Sequence, residues 1–188
     1  SYYTSGAWYG DQTMAKLLFF GGNETTYMAW DGVSEDDLKI NRRYNPAGQY
    51  IDDDGNIAYY DNQTDNYAQQ HVQLHVTHSF NSHWDLNAAL HYTHGAGYYE
   101  QYKCDAKLSD YGLQITDYRS DLVRQKHLGN HFYGGVAAVN YRNNKVQASL
   151  GGGANNYNGN HWGNVIWLRN YPLPTEKDYE YYRSRGDK

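Results

Sequence analysis

The chain has 188 residues, a formal net charge of −5, and 22 Tyr, 5 Trp and 4 Phe, with 19 Gly against 3 Pro. This charge balance lacks the basic clusters of a nucleic-acid-binding surface. The single cysteine, Cys104, excludes an internal disulfide framework and a Cys-based zinc site, and no apolar run reaches the roughly 18 residues of a membrane helix. A mean hydropathy of −0.95 matches a soluble protein, but averaging hides a strand that is apolar on one face only.

Ser1-Tyr2-Tyr3-Thr4 has neither the charged nor the apolar region of a targeting segment, so either a removed signal or an internal slice of a longer chain is expected. The opening residues predict a hairpin: a strand over 1–9, a turn at Gly10-Asp11, and a strand over 12–20 in which Trp8, Ala15, Leu17 and Phe19 share an apolar face and Lys16 lies on the other. Residues 21–70 carry no such alternation and predict a long loop.

Period two is clearest from His71 to Tyr92. Val72, Leu74 and Val76 alternate with His71, Gln73 and His75; after Asn81-Ser82-His83, Trp84, Leu86, Ala88, Leu90 and Tyr92 alternate with Asp85, Asn87 and His91. Successive side chains of a strand point to opposite faces, so 71–80 and 84–93 read as half-buried strands joined by a tight turn. Pairing Phe80 with Trp84 sets Leu74 opposite Leu90 and Val76 opposite Ala88. After a second long loop, 94–130, strands are predicted over 131–142 and 145–156, with Asn143-Asn144 as a two-residue turn. That turn sets Val139 opposite Ala148 and Ala137 opposite Leu150. Residues 157–188 read as a third long loop.

The fold expected is thus all-β: antiparallel up-and-down hairpins, about six strands, short turns at one end and long loops at the other. Compact domains seldom carry connections of this length, whereas an outer-membrane barrel has this asymmetry by construction. Strands of nine to twelve residues match the 9–11 that cross a bilayer at about 45° tilt, and Trp8, Tyr9, Trp84, Tyr92, Tyr133 and Tyr141 suit aromatic girdles. His71, Gln73, His75, Asn87, His91, Gln147 and Asn155 would line a wet interior. A soluble or surface β-sandwich that binds through Tyr-rich loops also alternates and is the competing reading.

Several stretches resemble TonB-dependent outer-membrane receptors of the Bacteroidetes type: Phe20-Gly21-Gly22-Asn23-Glu24-Thr25-Thr26-Tyr27-Met28-Ala29-Trp30-Asp31-Gly32, Asn41-Arg42-Arg43-Tyr44-Asn45-Pro46-Ala47-Gly48, Tyr60-Asp61-Asn62-Gln63-Thr64-Asp65-Asn66-Tyr67, the run from Leu90 to Lys103, and Asp121-Leu122-Val123-Arg124 leading to Asn130-His131-Phe132-Tyr133-Gly134-Gly135. The resemblance spans the chain in order. It implies an internal piece, 1–188, of a barrel of roughly 22 strands whose lumen holds a separate plug. It further implies location in the outer membrane, contact with its lipid, and uptake of a scarce small nutrient, such as an iron chelate or cobalamin, driven by TonB. Cys104, and His94 and Ala96 where the family commonly has basic residues, depart from the pattern.

Ligand contacts are expected from aromatic and cationic residues of the loops and rim: Trp30, Arg42, Arg43, Tyr44, Tyr98, Tyr99, Arg124, Trp162 and Trp167. No catalytic constellation, cofactor motif or nucleic-acid partner is expected. His71, His75 and His91 fall on one face but are expected as lumen wall rather than metal ligands. Asp52-Asp53-Asp54-Gly55-Asn56 lacks calcium-loop spacing and predicts an Asp-Gly turn.

Overall fold

The computed structural model describes residues 1–115 and 118–187. Seven strands form one antiparallel sheet: β1 (Tyr2–Tyr9), β2 (Thr13–Tyr27), β5 (Thr64–Ser79), β6 (Trp84–Lys107), β7 (Arg119–Arg142), β8 (Gln147–Leu168) and β9 (Tyr179–Asp187), ordered β1-β2-β5-β6-β7-β8-β9. A small hairpin, β3 (Gln49–Ile51) and β4 (Ile57–Tyr59), and a short helix, α1 (Glu35–Ile40), lie in the excursion between β2 and β5. Among the described residues no helix is long and apolar enough to cross a membrane, which bears on helices alone.

The up-and-down order puts every short turn at one end of the sheet and the connections 28–63, 108–118 and 169–178 at the other, as the alternation of loop lengths predicts. The expected number and lengths of the strands need correction. The sheet has seven strands rather than six, because β9 occupies part of the stretch assigned to loop. The strands also run far past the predicted ends: β6 and β7 have 24 residues each and β8 has 22, consuming much of 21–70, 94–130 and 157–188. The reason is chemical. Beyond Tyr92 on β6 and before Phe132 on β7 apolar residues such as Leu122, Val123 and Leu128 are scattered among polar, aromatic and small ones, so the pairing continues with no regular hydrophobic period to reveal it.

Register follows the side-chain chemistry. Leu74 pairs with Leu90 and Val76 with Ala88, as expected. In the β7–β8 hairpin Val139 meets Leu150 and Ala137 meets Gly152, a slip of two from the sequence reading. Its turn is Asn144-Lys145, not Asn143-Asn144: Asn143 N–H donates to the Val146 carbonyl (2.9 Å), and the Asn143 Oδ1 accepts from Lys145 N and Val146 N at 2.8 Å each. A slip of two keeps every side chain on its face. The first turn likewise moves one residue, to Asp11-Gln12, closed by Gly10 N–H on the Thr13 carbonyl (2.8 Å).

One face of the short-turn half carries Leu17, Phe19, Val72, Leu74, Val76, Leu86, Ala88, Leu90, Tyr92, Tyr133, Val139, Tyr141 and Leu150. Nothing among the described residues covers it: Leu150 is 81% exposed, Leu90 59% and Leu17 52%. Trp84 and Tyr141 pack against each other at its lower border, ring centres 4.8 Å apart. The opposite face holds His71, Gln73, His75, Asn87, His91, Gln147 and Asn155, with a minority of apolar groups such as Phe132 and Val136.

The buried core lies at the long-connection end. There the 3₁₀ turn Leu108–Tyr111 and Leu113 fold onto one face, and Leu108, Tyr111 and Leu113 pack with Ala106, Leu122, Val165 and Leu168. The β3–β4 hairpin lies over the other face, where Tyr50 stacks on Tyr102 with ring centres 4.6 Å apart. Its turn is built by Asp52, whose Oδ1 accepts from Asp54 N and Asn56 N (3.0 and 2.8 Å), and by Gly55 at φ +84°, a conformation that favours glycine. This is the expected Asp-Gly turn. A bulge at Lys103–Ala106, with Asp105 at φ +47°, reorients the end of β6.

Candidate functional site

The excursion 28–63 is fastened to the sheet through a buried carboxylate. Glu100, 4% exposed, accepts from the Tyr60 hydroxyl (2.5 Å), Asn62 Nδ2 (2.7 Å) and Gln125 Nε2 (2.6 Å). Burial, followed by the hydrogen bond to Glu100, holds the Tyr60 phenol well above its ordinary value of 10.0. Nearby, the Gln63 side chain accepts from Tyr102 N (2.8 Å). The Tyr102 hydroxyl donates to Asp121 (2.8 Å) and receives Arg169 Nη2 (3.1 Å), while Arg169 reaches Asp53 of the hairpin at 3.0 Å. Burial and the Asp121 bond push the Tyr102 phenol up to about 12. Tyr50, Tyr60, Tyr102, Trp167 and Arg169 line a cleft of about 470 Å³ on this face.

The other face holds a second cleft at the same end, about 410 Å³, whose lining includes Glu24, Asp65, Trp30, Tyr67, Tyr99 and Lys126. Trp30 meets Tyr99 edge to face, ring centres 4.8 Å apart. Just above, Arg124 spends its fork on neutral acceptors, donating through Nε and Nη2 to Gln101 Oε1 (3.2 and 2.8 Å) and through Nη1 to the Tyr111 hydroxyl (3.2 Å). Burial first, then the charges of Arg124 and Lys103, lowers the Lys126 ammonium below its usual range. A larger groove of about 690 Å³ follows the open flank of β1 beside Gly21–Glu24, where Tyr2, Tyr3, Phe20, Gln69 and His71 also line it.

The expected ligand residues therefore divide. Trp30, Tyr99 and Arg124 come together on one face. Tyr98, which also contributes to the wall of the second cleft, and Trp162 sandwich His127 on the opposite face, with ring centres at 5.1 and 4.9 Å. Trp167 flanks Tyr102 at 5.9 Å in the first cleft. Arg42, Arg43 and Tyr44 join neither: both arginines are exposed on the turn after α1, and the Tyr44 hydroxyl donates to Gln49 Oε1 (3.0 Å). The three histidines of the polar face bond neighbours instead of one another: His71 to Thr93 (3.0 Å), His75 to Gln73 (3.1 Å) and His91 to Asn155 (2.8 Å). Among the described residues no group of three His, Cys, Asp or Glu is arranged to hold a metal ion.

Sequence reasoning missed Glu24, Asp65, Glu100, Tyr102, Lys126 and Arg169 as site residues. The signal for Lys126 was present: counting back by two from Phe132 through Asn130 and Leu128 puts Lys126 and Arg124 on the face that Thr93, Gly95, Gly97 and Tyr99 share on β6. Comparison with known protein families, with curated proteins and with solved structures finds no match for this chain.

Proposed function

We propose that this chain is part of an outer-membrane β-barrel receptor that takes up a scarce small nutrient by a TonB-driven mechanism. The observation that carries the proposal is the bare apolar face. A single sheet exposes Leu17, Phe19, Val72, Leu90, Val139 and Leu150 on one side, bordered by aromatic rings, and a water-facing monomer seldom leaves so large an apolar patch uncovered. Lipid would cover it, and the polar side would then face a wet lumen. A β-sandwich would lay a second sheet over those side chains, and all seven long strands here belong to one sheet.

The strand lengths support the same reading. About 9–11 residues suffice to cross a bilayer, so strands of 24 residues would stand well out of it. Their upper halves would carry the fastened excursions and both clefts at the outer surface. The edges β1 and β9 each have one neighbour, and unpaired edges are not tolerated in hydrocarbon, so further strands of the same barrel would flank them. A plug domain and TonB are the expected partners elsewhere in the assembly. The role assigned is transport, with no catalytic step.

The test is fractionation of the intact protein with and without detergent, followed by uptake in cells with and without TonB. Recovery with outer membranes, dependence of the folded state on detergent, and loss of nutrient-dependent growth without TonB are the expected results. A folded, detergent-free monomer recovered from the aqueous fraction would overturn the proposal.

A further inference from the structure

The cleft of about 410 Å³ beneath Trp30 is electrically divided in a way that the transport reading neither requires nor explains. Thr26, Asp65, Tyr99 and Lys126 occupy successive positions across β2, β5, β6 and β7, and Glu24 and Tyr67 are paired in the row beneath them. Carboxylates thus lie on the β2–β5 side and the ammonium on β7, with the Tyr99 ring between them. At a strand spacing of about 4.8 Å, Asp65 and Lys126 are two strands apart, about 10 Å.

These charges are unsatisfied within the chain. Among the described residues Glu24, Asp65 and Lys126 make no ion pair and no side-chain hydrogen bond. The Lys126 ammonium has only the Tyr182 ring, 5.8 Å away. The basic side is reinforced by Arg124, two residues along the same face, whose donors go to neutral Gln101 and Tyr111, and by Lys103, whose positive charge reaches Lys126. Asp65 and Lys126 are both partly buried. Opposite charges held this far apart over an aromatic floor cannot neutralise each other directly, and in a partly desolvated cleft each retains a claim on a counter-charge.

We infer that this cleft binds a short peptide of two or three residues as a zwitterion, its amino terminus at Glu24 and Asp65 and its carboxylate at Lys126. An extended chain spans about 3.3–3.6 Å per residue, so a tripeptide bridges the two sides. The central side chain lies against Tyr99 and Trp30, where an aromatic or aliphatic group gains contact area. The inference takes from the transport reading only the fate of the ligand; the binding itself needs the cleft alone.

The experiment is calorimetric titration of the intact protein in detergent with the tripeptide Ala-Tyr-Ala, its N-acetylated form and its C-amidated form. No energised membrane is involved, so failure here leaves the transport reading untouched, and failure of uptake leaves the binding result standing. Free tripeptide is expected to bind one to one, and either block to weaken it about tenfold or more. In the Glu24→Gln/Asp65→Asn double variant acetylation should cease to matter while amidation still does, and in Lys126→Gln the reverse should hold. These side chains hold no hydrogen bond in the fold, so the variants keep the sheet. Arg142→Gln, at the short-turn end, should bind as wild type. Equal binding of free and blocked tripeptides, sensitivity to one block only, or no saturable heat with the free tripeptide would each overturn the inference.

Discussion

Glu100 shows how one residue ties a long excursion to a sheet. A carboxylate is costly to bury unless its lone pairs are used, and Glu100 uses its oxygens on Tyr60, Asn62 and Gln125. Glu100→Ala removes the acceptor for all three and is expected to lower unfolding free energy by about 3 kcal/mol, read by denaturant titration. Faster proteolytic cleavage within 28–63 should accompany it. Tyr60→Phe should cost less and change the alkaline limb. The folded Tyr60 pKa is raised, so its contribution is fully present below the ordinary value of 10.0 and is lost as pH climbs through the higher folded value. The Phe variant should be less stable at neutral pH and fall less steeply above pH 10. An alkaline limb unchanged by the substitution would mean that Tyr60 ionises as freely folded as unfolded. Residues such as Glu100 are hard to find from sequence, because a carboxylate in a Tyr-rich stretch reads as surface until its three partners, up to forty residues away, are brought to it.

At the scale of the strand, period two was legible wherever one face was apolar and silent elsewhere. Val72, Leu74 and Val76 on β5 and Leu86, Ala88 and Leu90 on β6 gave face and register together. From His94 to Lys107 and from Arg119 to Asn130 the apolar residues, Leu122, Val123 and Leu128 among them, do not alternate regularly, and there the sequence suggested loop where the sheet continues. The proposed orientation is testable strand by strand. Leu74→Arg or Leu150→Arg, if its face meets lipid, should cost about 2–4 kcal/mol near the bilayer midplane, whereas His75→Arg on the opposite face should cost well under 1 kcal/mol. Refolding equilibria into lipid vesicles measure both, and equal costs on the two faces would sink the orientation. At Gly135 a Cβ would come within 2.7 Å of Leu90 Cδ2. Gly135→Val should therefore disturb the apolar face, and Gly152→Ala, whose Cβ meets open space, should not; thermal unfolding of the two variants should separate them.

Over the whole molecule, stability is unevenly distributed. Leu108, Leu122 and Val165 are almost wholly buried at the long-connection end, while every residue of β1 is exposed and the apolar face of the short-turn half is bare. Leu122→Ala should cost about 2–5 kcal/mol, measured by denaturant titration, since its side chain joins the 3₁₀ turn to β8. Amide exchange should be slow around Leu122 and Val165 in any environment. In the short-turn half it should slow further when detergent is replaced by lipid, if that half is covered by lipid as proposed.

What the sequence determined by itself is the antiparallel all-β order, the faces of the central strands and the segregation of short turns from long connections, because these follow from period-two chemistry and turn residues that act over a few positions. It also named Trp30, Tyr99 and Arg124, which the fold brings to one face at the long-connection end. Only the tertiary structure decided the true strand lengths, the presence of β9, and the assembly of Glu24, Asp65, Tyr99 and Lys126 from four segments into one divided cleft. The physical reason is that backbone pairing and charge placement across strands depend on partners distant in sequence, and neither leaves a local hydrophobic period to read.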